Sequence, residues 1–175
     1  MIMKQAPRHI APLFLLLLAI ALHGCSKKQT ADFLFETLSS DSTGIRFANQ
    51  LKPTPDFNLF SYMYYYNGAG VGAGDVNNDG LTDLFFASNQ HQNTLYLNRG
   101  QMHFEDITEA AGIPKDSSWS TGVSLVDINA DGLLDIYVCR VSQYKILTGS
   151  NQLLICQGID AQGIPHYKDE AAAYG

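Results

Sequence analysis

Basic residues are few in this chain, and no stretch gathers them. Eleven Lys plus Arg stand against 17 Asp plus Glu in 175 residues, a formal net charge of -6. Without a basic patch the chain lacks the electrostatic footprint of a nucleic-acid binder. Charged residues make up only 16% of the whole, too few for a coiled coil or a charged helical bundle. The 46% hydrophobic share excludes wholesale disorder. Long apolar runs are also missing. The one extended run of apolar residues, Ile10 to Leu22 (IAPLFLLLLAIAL), is short of the roughly 20 residues a bilayer-spanning helix needs. Catalytic signatures are lacking as well: there is no HExxH, no GxSxG, no P-loop and no dinucleotide fingerprint. His91, His103 and His166 show no ligand spacing. Paired carboxylates suit glycosidase chemistry in principle, but the aspartates here fall into another pattern.

The apolar run has the size of a signal-peptide core, and Lys4 and Arg8 give it a positive start. It ends in Leu22-His23-Gly24-Cys25, which resembles the lipobox of bacterial lipoproteins, where the cysteine is lipidated and becomes the mature N-terminus. His23 is an unusual occupant of its position. The expectation is a signal segment over 1–24, lipidation at Cys25 and a tether over 25–42. Ser26, beside the cysteine, suits sorting to the outer membrane of a Gram-negative cell, on either the periplasmic or the surface face. Removing 1–24 leaves nine basic residues against 17 acids, a net charge of -8.

The remainder repeats. Gly70 to Leu84 (GVGAGDVNNDGLTDL) returns as Gly122 to Ile136 (GVSLVDINADGLLDI), 52 residues on and without a gap. Leu95-Tyr96-Leu97-Asn98 returns at Leu153-Leu154-Ile155-Cys156, offset by 58, and Phe104 to Gly112 returns at Tyr167 to Gly175, offset by 63. The growing offset places insertions at 144–150 and 159–165, where loops absorb them cheaply. Four short strands are expected in each unit: Val71–Val76, Leu84–Ser88, Thr94–Asn98 and His103–Ile107, then Gly122–Ile128, Leu134–Arg140, Gln152–Cys156 and His166–Asp169. Thr108 to Gly112 reads as one helical turn stopped by glycine. Repeats of this size with four antiparallel strands are β-propeller blades. The expected fold is all-β, with blade 1 over about 67–113 and blade 2 over about 119–175. Because propellers have four to eight blades, the two here are expected to be the front of a longer chain whose further blades pack on them.

Between the first two strands of each unit lies an acidic loop. Asp75, Asn77, Asp79 and Asp83 occupy its first, third, fifth and ninth positions, with Gly80 at the sixth. Asp127, Asn129, Asp131, Asp135 and Gly132 repeat the pattern. Ca²⁺ takes six to eight oxygens at about 2.3–2.6 Å, and alternating acids on a tight loop supply them, with glycine allowing the sharp turn. Leu81 and Leu133, at the seventh position, would contribute backbone carbonyls. Two structural Ca²⁺ sites are therefore expected. An EF-hand is excluded: its twelfth-position Glu is replaced by Phe86 and Val138, and strands rather than helices flank the loops.

The segment Gly70 to Leu84 resembles the FG-GAP, or VCBS, repeat of integrin-type β-propellers, where a hairpin carries the calcium loop. Tyr64 to Val71 (YYYNGAGV), Phe104 to Ile113 (FEDITEAAGI) and Trp119 to Gly122 resemble bacterial proteins grouped with the cartilage acidic protein family. The resemblance runs from about residue 43 to the end. It implies an exported, non-enzymatic module that binds glycan or protein ligands through a calcium-pinned surface. The alternative is an accessory domain of a longer polysaccharide-processing enzyme. A C-terminal ASPIC/UnbV-type region, expected in this family, is absent from the sequence.

Phe57 to Tyr66 (FNLFSYMYYY) reads as a strand whose aromatics pack between blades, rather than a sugar platform, and Trp119 reads as a packing residue. Cys139 and Cys156 end consecutive antiparallel strands, which places them on the order of 13 Å apart at 3.3 Å per residue. A disulfide needs Cα atoms within about 7 Å, so two thiols are expected.

Overall fold

The computed structural model describes residues 34–175. The expected signal segment, Cys25 and residues 26–33 of the tether lie outside the described residues. The chain divides at Thr37/Leu38, and the unit from Leu38 to Gly175 holds all of the regular structure described below.

That unit contains two four-stranded antiparallel sheets, each a simple meander: β1 (Val71–Gly74), β2 (Asp83–Phe86), β3 (Thr94–Asn98), β4 (Phe104–Asp106), then β5 (Ser120–Val126), β6 (Asp135–Arg140), β7 (Gln152–Ile159), β8 (Pro165–Asp169). These are two propeller-type blades, and the described residues form no closed barrel. Two short helices flank them, α1 (Ser40–Thr43) and α2 (Ala171–Tyr174). The registers repeat as well: Leu84 pairs with Tyr96 in the first sheet and Ile136 with Leu154 in the second.

The strand limits follow from where backbone N–H groups find acceptors. β1 ends at Gly74 because the Val76 N–H turns to the Asp83 carboxylate at 2.9 Å instead of a ladder carbonyl. β2 ends at Phe86 because the Ser88 N–H bonds the Asn93 side chain at 2.8 Å, closing a turn. β7 runs past the expected Cys156 to Ile159, since a bulge lets Ile159 pair with Pro165. Ala111 N–H to Ile107 O at 2.8 Å closes the single turn after β4, and Gly112 ends it at φ +74°.

One core lies between the blades. Phe85, Leu95, Leu97, Ile107 and Ile113 from the first meet Ile136, Val138, Leu154, Cys156 and Tyr167 from the second. Close approach depends on the alternating glycines 70, 72 and 74. A Cβ on Gly70 would lie 2.9 Å from Gly122 Cα, and one on Gly74 would lie 2.9 Å from Leu134 Cδ1. Period-two glycine on β1 is thus a contact surface for the next blade.

The segment Phe57–Tyr66 is not a strand: it is a run of turns. Asn58 drives this. Its Oδ1 accepts from Phe60 N–H, and its Nδ2 donates to Thr54 O and Pro55 O, so local side-chain bonds replace a ladder. The aromatics are nevertheless packed. Phe57, Tyr62 and Tyr65 are buried around Trp119, with Phe57 and Trp119 edge-to-face at 5.2 Å. Trp119 is 2% exposed, so its ring is a packing element. Among the described residues Cys139 and Cys156 are free thiols, Cys139 exposed and Cys156 buried.

Part of the expected tether is ordered. α1 is capped by Ser39 and closed by Gly44 at φ +78°. Beyond it, Phe47 stacks on Phe86 at 4.9 Å and Asn49 Nδ2 donates to Asn89 Oδ1 at 2.6 Å, which lays residues 44–52 against blade 1.

Candidate metal centre

Each acidic loop is the connection of a β-hairpin, β1–β2 or β5–β6, and the two loops share one hydrogen-bond scheme. Asp75 Oδ1 accepts from Asp79 N–H at 3.0 Å, and Asp75 Oδ2 accepts from Gly80 N–H at 2.8 Å. Asp127 does the same to Asp131 and Gly132 at 3.1 and 2.9 Å. Asn77 Oδ1 and Asn129 Oδ1 accept from the same Asp79 and Asp131 N–H groups. Asp79 Oδ1 and Asp131 Oδ1 accept from Leu81 and Leu133 N–H, both at 2.8 Å. Gly80 and Gly132 both have φ +86°, a conformation that strains any residue with a Cβ.

The ninth-position aspartates differ from the rest. Asp83 and Asp135 are fully buried. Asp83 Oδ2 takes Val76 N–H, and its Oδ1 takes Asn98 N–H from β3 at 2.8 Å. Asp135 takes Ile128 N–H and, from β7, Cys156 N–H at 2.8 Å. Each therefore ties its loop to the third strand of its blade. Burial pushes the Asp83 carboxyl above the usual carboxylate range, and the nearby Asp79 and Asp75 charges push the same way. Its backbone N–H donors oppose them.

The structure thus brings all five first-loop positions and all five second-loop positions onto matching turns. Among the described residues, no three acid, imidazole or thiol groups are gathered closely enough to hold an ion as they stand. The loop carboxylates are turned onto their own backbone donors instead. The donor chemistry suits a hard cation all the same. Each loop offers three carboxylates and an amide oxygen, and none of its acids forms an ion pair with a Lys, Arg or His among the described residues. A buried, unpaired carboxylate beside two others is a charge arrangement that a divalent ion would offset.

Several contributors were not legible from the loop pattern. Asn78 and Ala130, at the fourth position, both sit in the left-handed region, at φ +58° and +60°. The doubly accepting role of Asp83 and Asp135 depends on Asn98 and Cys156, and the repeat offset of 58 was the only trace of it. A cavity of about 530 Å³ lined by Tyr137, Asn151, Leu153 and Tyr174 includes no loop residue.

Matching four-stranded sheets with an acidic loop in the first hairpin define a repeat class, and the comparison with protein families agrees. The family described as FG-GAP-like repeat matches residues 75–138, which takes in both loops, so this stretch of the chain is similar to that repeat. It resembles cartilage acidic protein 1. The frog protein (Xenopus tropicalis) is 31% identical over 59% of this chain and 15% of its own length. The human and mouse (Homo sapiens and Mus musculus) proteins are 35% and 33% identical over 41% of this chain and 11% of theirs. The chain therefore spans a small part of the curated relatives it matches.

Proposed function

We propose that this protein is an exported, lipid-anchored binding module whose FG-GAP blades are stiffened by Ca²⁺ and present a surface to an extracellular glycan or protein. The observation that carries the reading is the pair of matching loops whose six carboxylates have no basic partner among the described residues. Asp75, Asn77, Asp79, the Leu81 carbonyl and Asp83 would hold one ion, and Asp127, Asn129, Asp131, the Leu133 carbonyl and Asp135 the other. A bound Ca²⁺ supplies charge neutralisation and a cross-link within each loop. The chain's own part is to fix the loops between strands, so the rim of the blades keeps one shape. The Lys4/Arg8 start, the apolar run and Gly24-Cys25 support acylation at Cys25 and residence at a bacterial outer membrane.

The reading is non-catalytic. The loop aspartates are engaged by backbone donors, and the sequence carries none of the hydrolase or nucleotide motifs. A glycan array probed with the full chain, in Ca²⁺ and in chelator, tests it. Specific binding that chelator abolishes supports the module. Turnover of a polysaccharide with no ligand retained in Ca²⁺ would overturn it.

A further inference from the structure

The two acidic loops are not independent of each other. Asn78, at the fourth position of the first loop, donates from Nδ2 to the Gly132 carbonyl of the second loop at 3.1 Å. Its neighbour Asn77 donates from Nδ2 to both Asp79 Oδ2 at 3.0 Å and the Gly163 carbonyl, in the β7–β8 turn of blade 2, at 3.1 Å. In each contact that reaches blade 2 an amide nitrogen faces a backbone carbonyl oxygen, which also fixes which way the amide points. The second loop has no matching reach. Ala130 replaces Asn78, and Asn129 Nδ2 donates only to Asp131 Oδ2 among the described residues. The left-handed backbone at Asn78 and Ala130 is the same, so the difference lies in the side chain alone.

Gly132 occupies a sensitive point. Its N–H donates to Asp127 Oδ2 at 2.9 Å, and the next residue, Leu133, carries the carbonyl expected to face an ion. A constraint on Gly132 therefore positions both a carboxylate and a carbonyl of the second loop. Asn78 in turn lies between Asn77 and Asp79, two of the first loop's oxygen donors. An ion that orders the first loop fixes Asn78, and through it Gly132.

Resting on the calcium reading above, we propose that the two loops bind divalent ions as a coupled pair, with Asn78 as the positioning residue that links them. The coupling is reciprocal, since an effect of one site's occupancy on the other's affinity must run equally in both directions. An exposed hydrogen bond of this kind corresponds to a coupling of about three- to tenfold in affinity. The asymmetry makes the first loop, held at two points to blade 2, the better organised of the two.

The test is calorimetric titration of Ca²⁺ into the full chain and three variants. Asn78→Ala gives the first loop the residue that the second already carries at the same φ, so folding is retained. Trp119 fluorescence during urea unfolding checks that. Asp75→Ala disables the first loop, and Asp127→Ala the second. The wild type is expected to bind two ions cooperatively. Asn78→Ala still binds two, but without cooperativity and with the second-loop affinity lowered about three- to tenfold. Asp75→Ala binds one ion, with the second-loop affinity lowered by that same factor. Two independent sites in the wild type, or an Asn78→Ala isotherm identical to it, overturns the coupling and leaves calcium binding standing. No heat from any protein overturns both.

Discussion

Gly70 and Gly122 occupy the same place in the repeat, 52 residues apart, yet replacing them with alanine is expected to have opposite effects. A Cβ on Gly70 would stand 2.9 Å from Gly122 Cα and 2.9 Å from Val123 N. Those are backbone atoms of a paired strand and cannot rotate away. The blades must separate locally, which belongs with core overpacking at about 1–3 kcal/mol. Loss of glycine's freedom in the unfolded chain returns about 0.4–1 kcal/mol. The net expectation for Gly70→Ala is a loss of about 1–2 kcal/mol. A Cβ on Gly122 meets only the Cys139 side chain, at 3.7 Å and 3.9 Å, which is ordinary contact. Gly122→Ala is then neutral or stabilising by about 0.4–1 kcal/mol. Neither glycine has a positive φ, so backbone strain does not enter. Urea unfolding followed by Trp119, the single tryptophan and 2% exposed, reads both. With a slope on the order of 2 kcal/mol/M, the Gly70→Ala midpoint falls by roughly 0.5–1 M. A Gly70→Ala protein as stable as the wild type, or a Gly122→Ala protein that falls equally, would refute the close packing of β1 on β5.

Three further outcomes follow from the same geometry. In chelator, Asp83→Ala and Asp135→Ala each strand two backbone N–H groups and are expected to lose on the order of 2–4 kcal/mol. Asp75→Ala, whose donors can turn to water, loses less than about 1 kcal/mol, and equal losses in all three would contradict the assigned roles. Both carboxylate oxygens of Asp116 accept from Arg140 Nη2, at 2.8 and 2.9 Å, and the Arg140 side chain is only 6% exposed. Asp116→Ala should cost about 2–4 kcal/mol in urea unfolding, and adding Arg140→Met should recover much of it; no recovery rejects the stranded-charge explanation. Burial pushes the Cys156 thiol up, with Asp135 and Asp131 adding to the shift, whereas Cys139 is exposed. Iodoacetamide mapped by peptide mass at pH 8 should modify Cys139 at least about tenfold faster, and equal rates would contradict the packing of β7.

Repeat structure and strand order were legible because the aligned segments carry turn chemistry at fixed places. Asp-x-Asn-x-Asp-Gly and the apolar pairs after it admit few other local structures. Segment 57–66 forms turns rather than the expected strand because Asn58 and two prolines outweigh the strand propensity of its aromatics. α1 fell inside an expected tether because a four-residue helix has no periodicity to detect, although Ser39 and Gly44 are ordinary caps. The glycines at 70, 72 and 74 belong to the repeated motif, but their work is between blades, and no single-blade pattern reveals that. The same holds for Asn78, whose partner is a carbonyl 54 residues away in sequence.

The central claim is that the two acidic loops are cation sites that stabilise the blades. Thermal unfolding of the full chain across a Ca²⁺ titration tests it most directly, beside an Asp75→Ala, Asp127→Ala double variant. Each filled site at 100-fold over its dissociation constant adds about 2.7 kcal/mol. The wild-type midpoint should therefore rise by several degrees while the double variant stays flat. A flat wild type, or an equal rise in the double variant, would contradict the account.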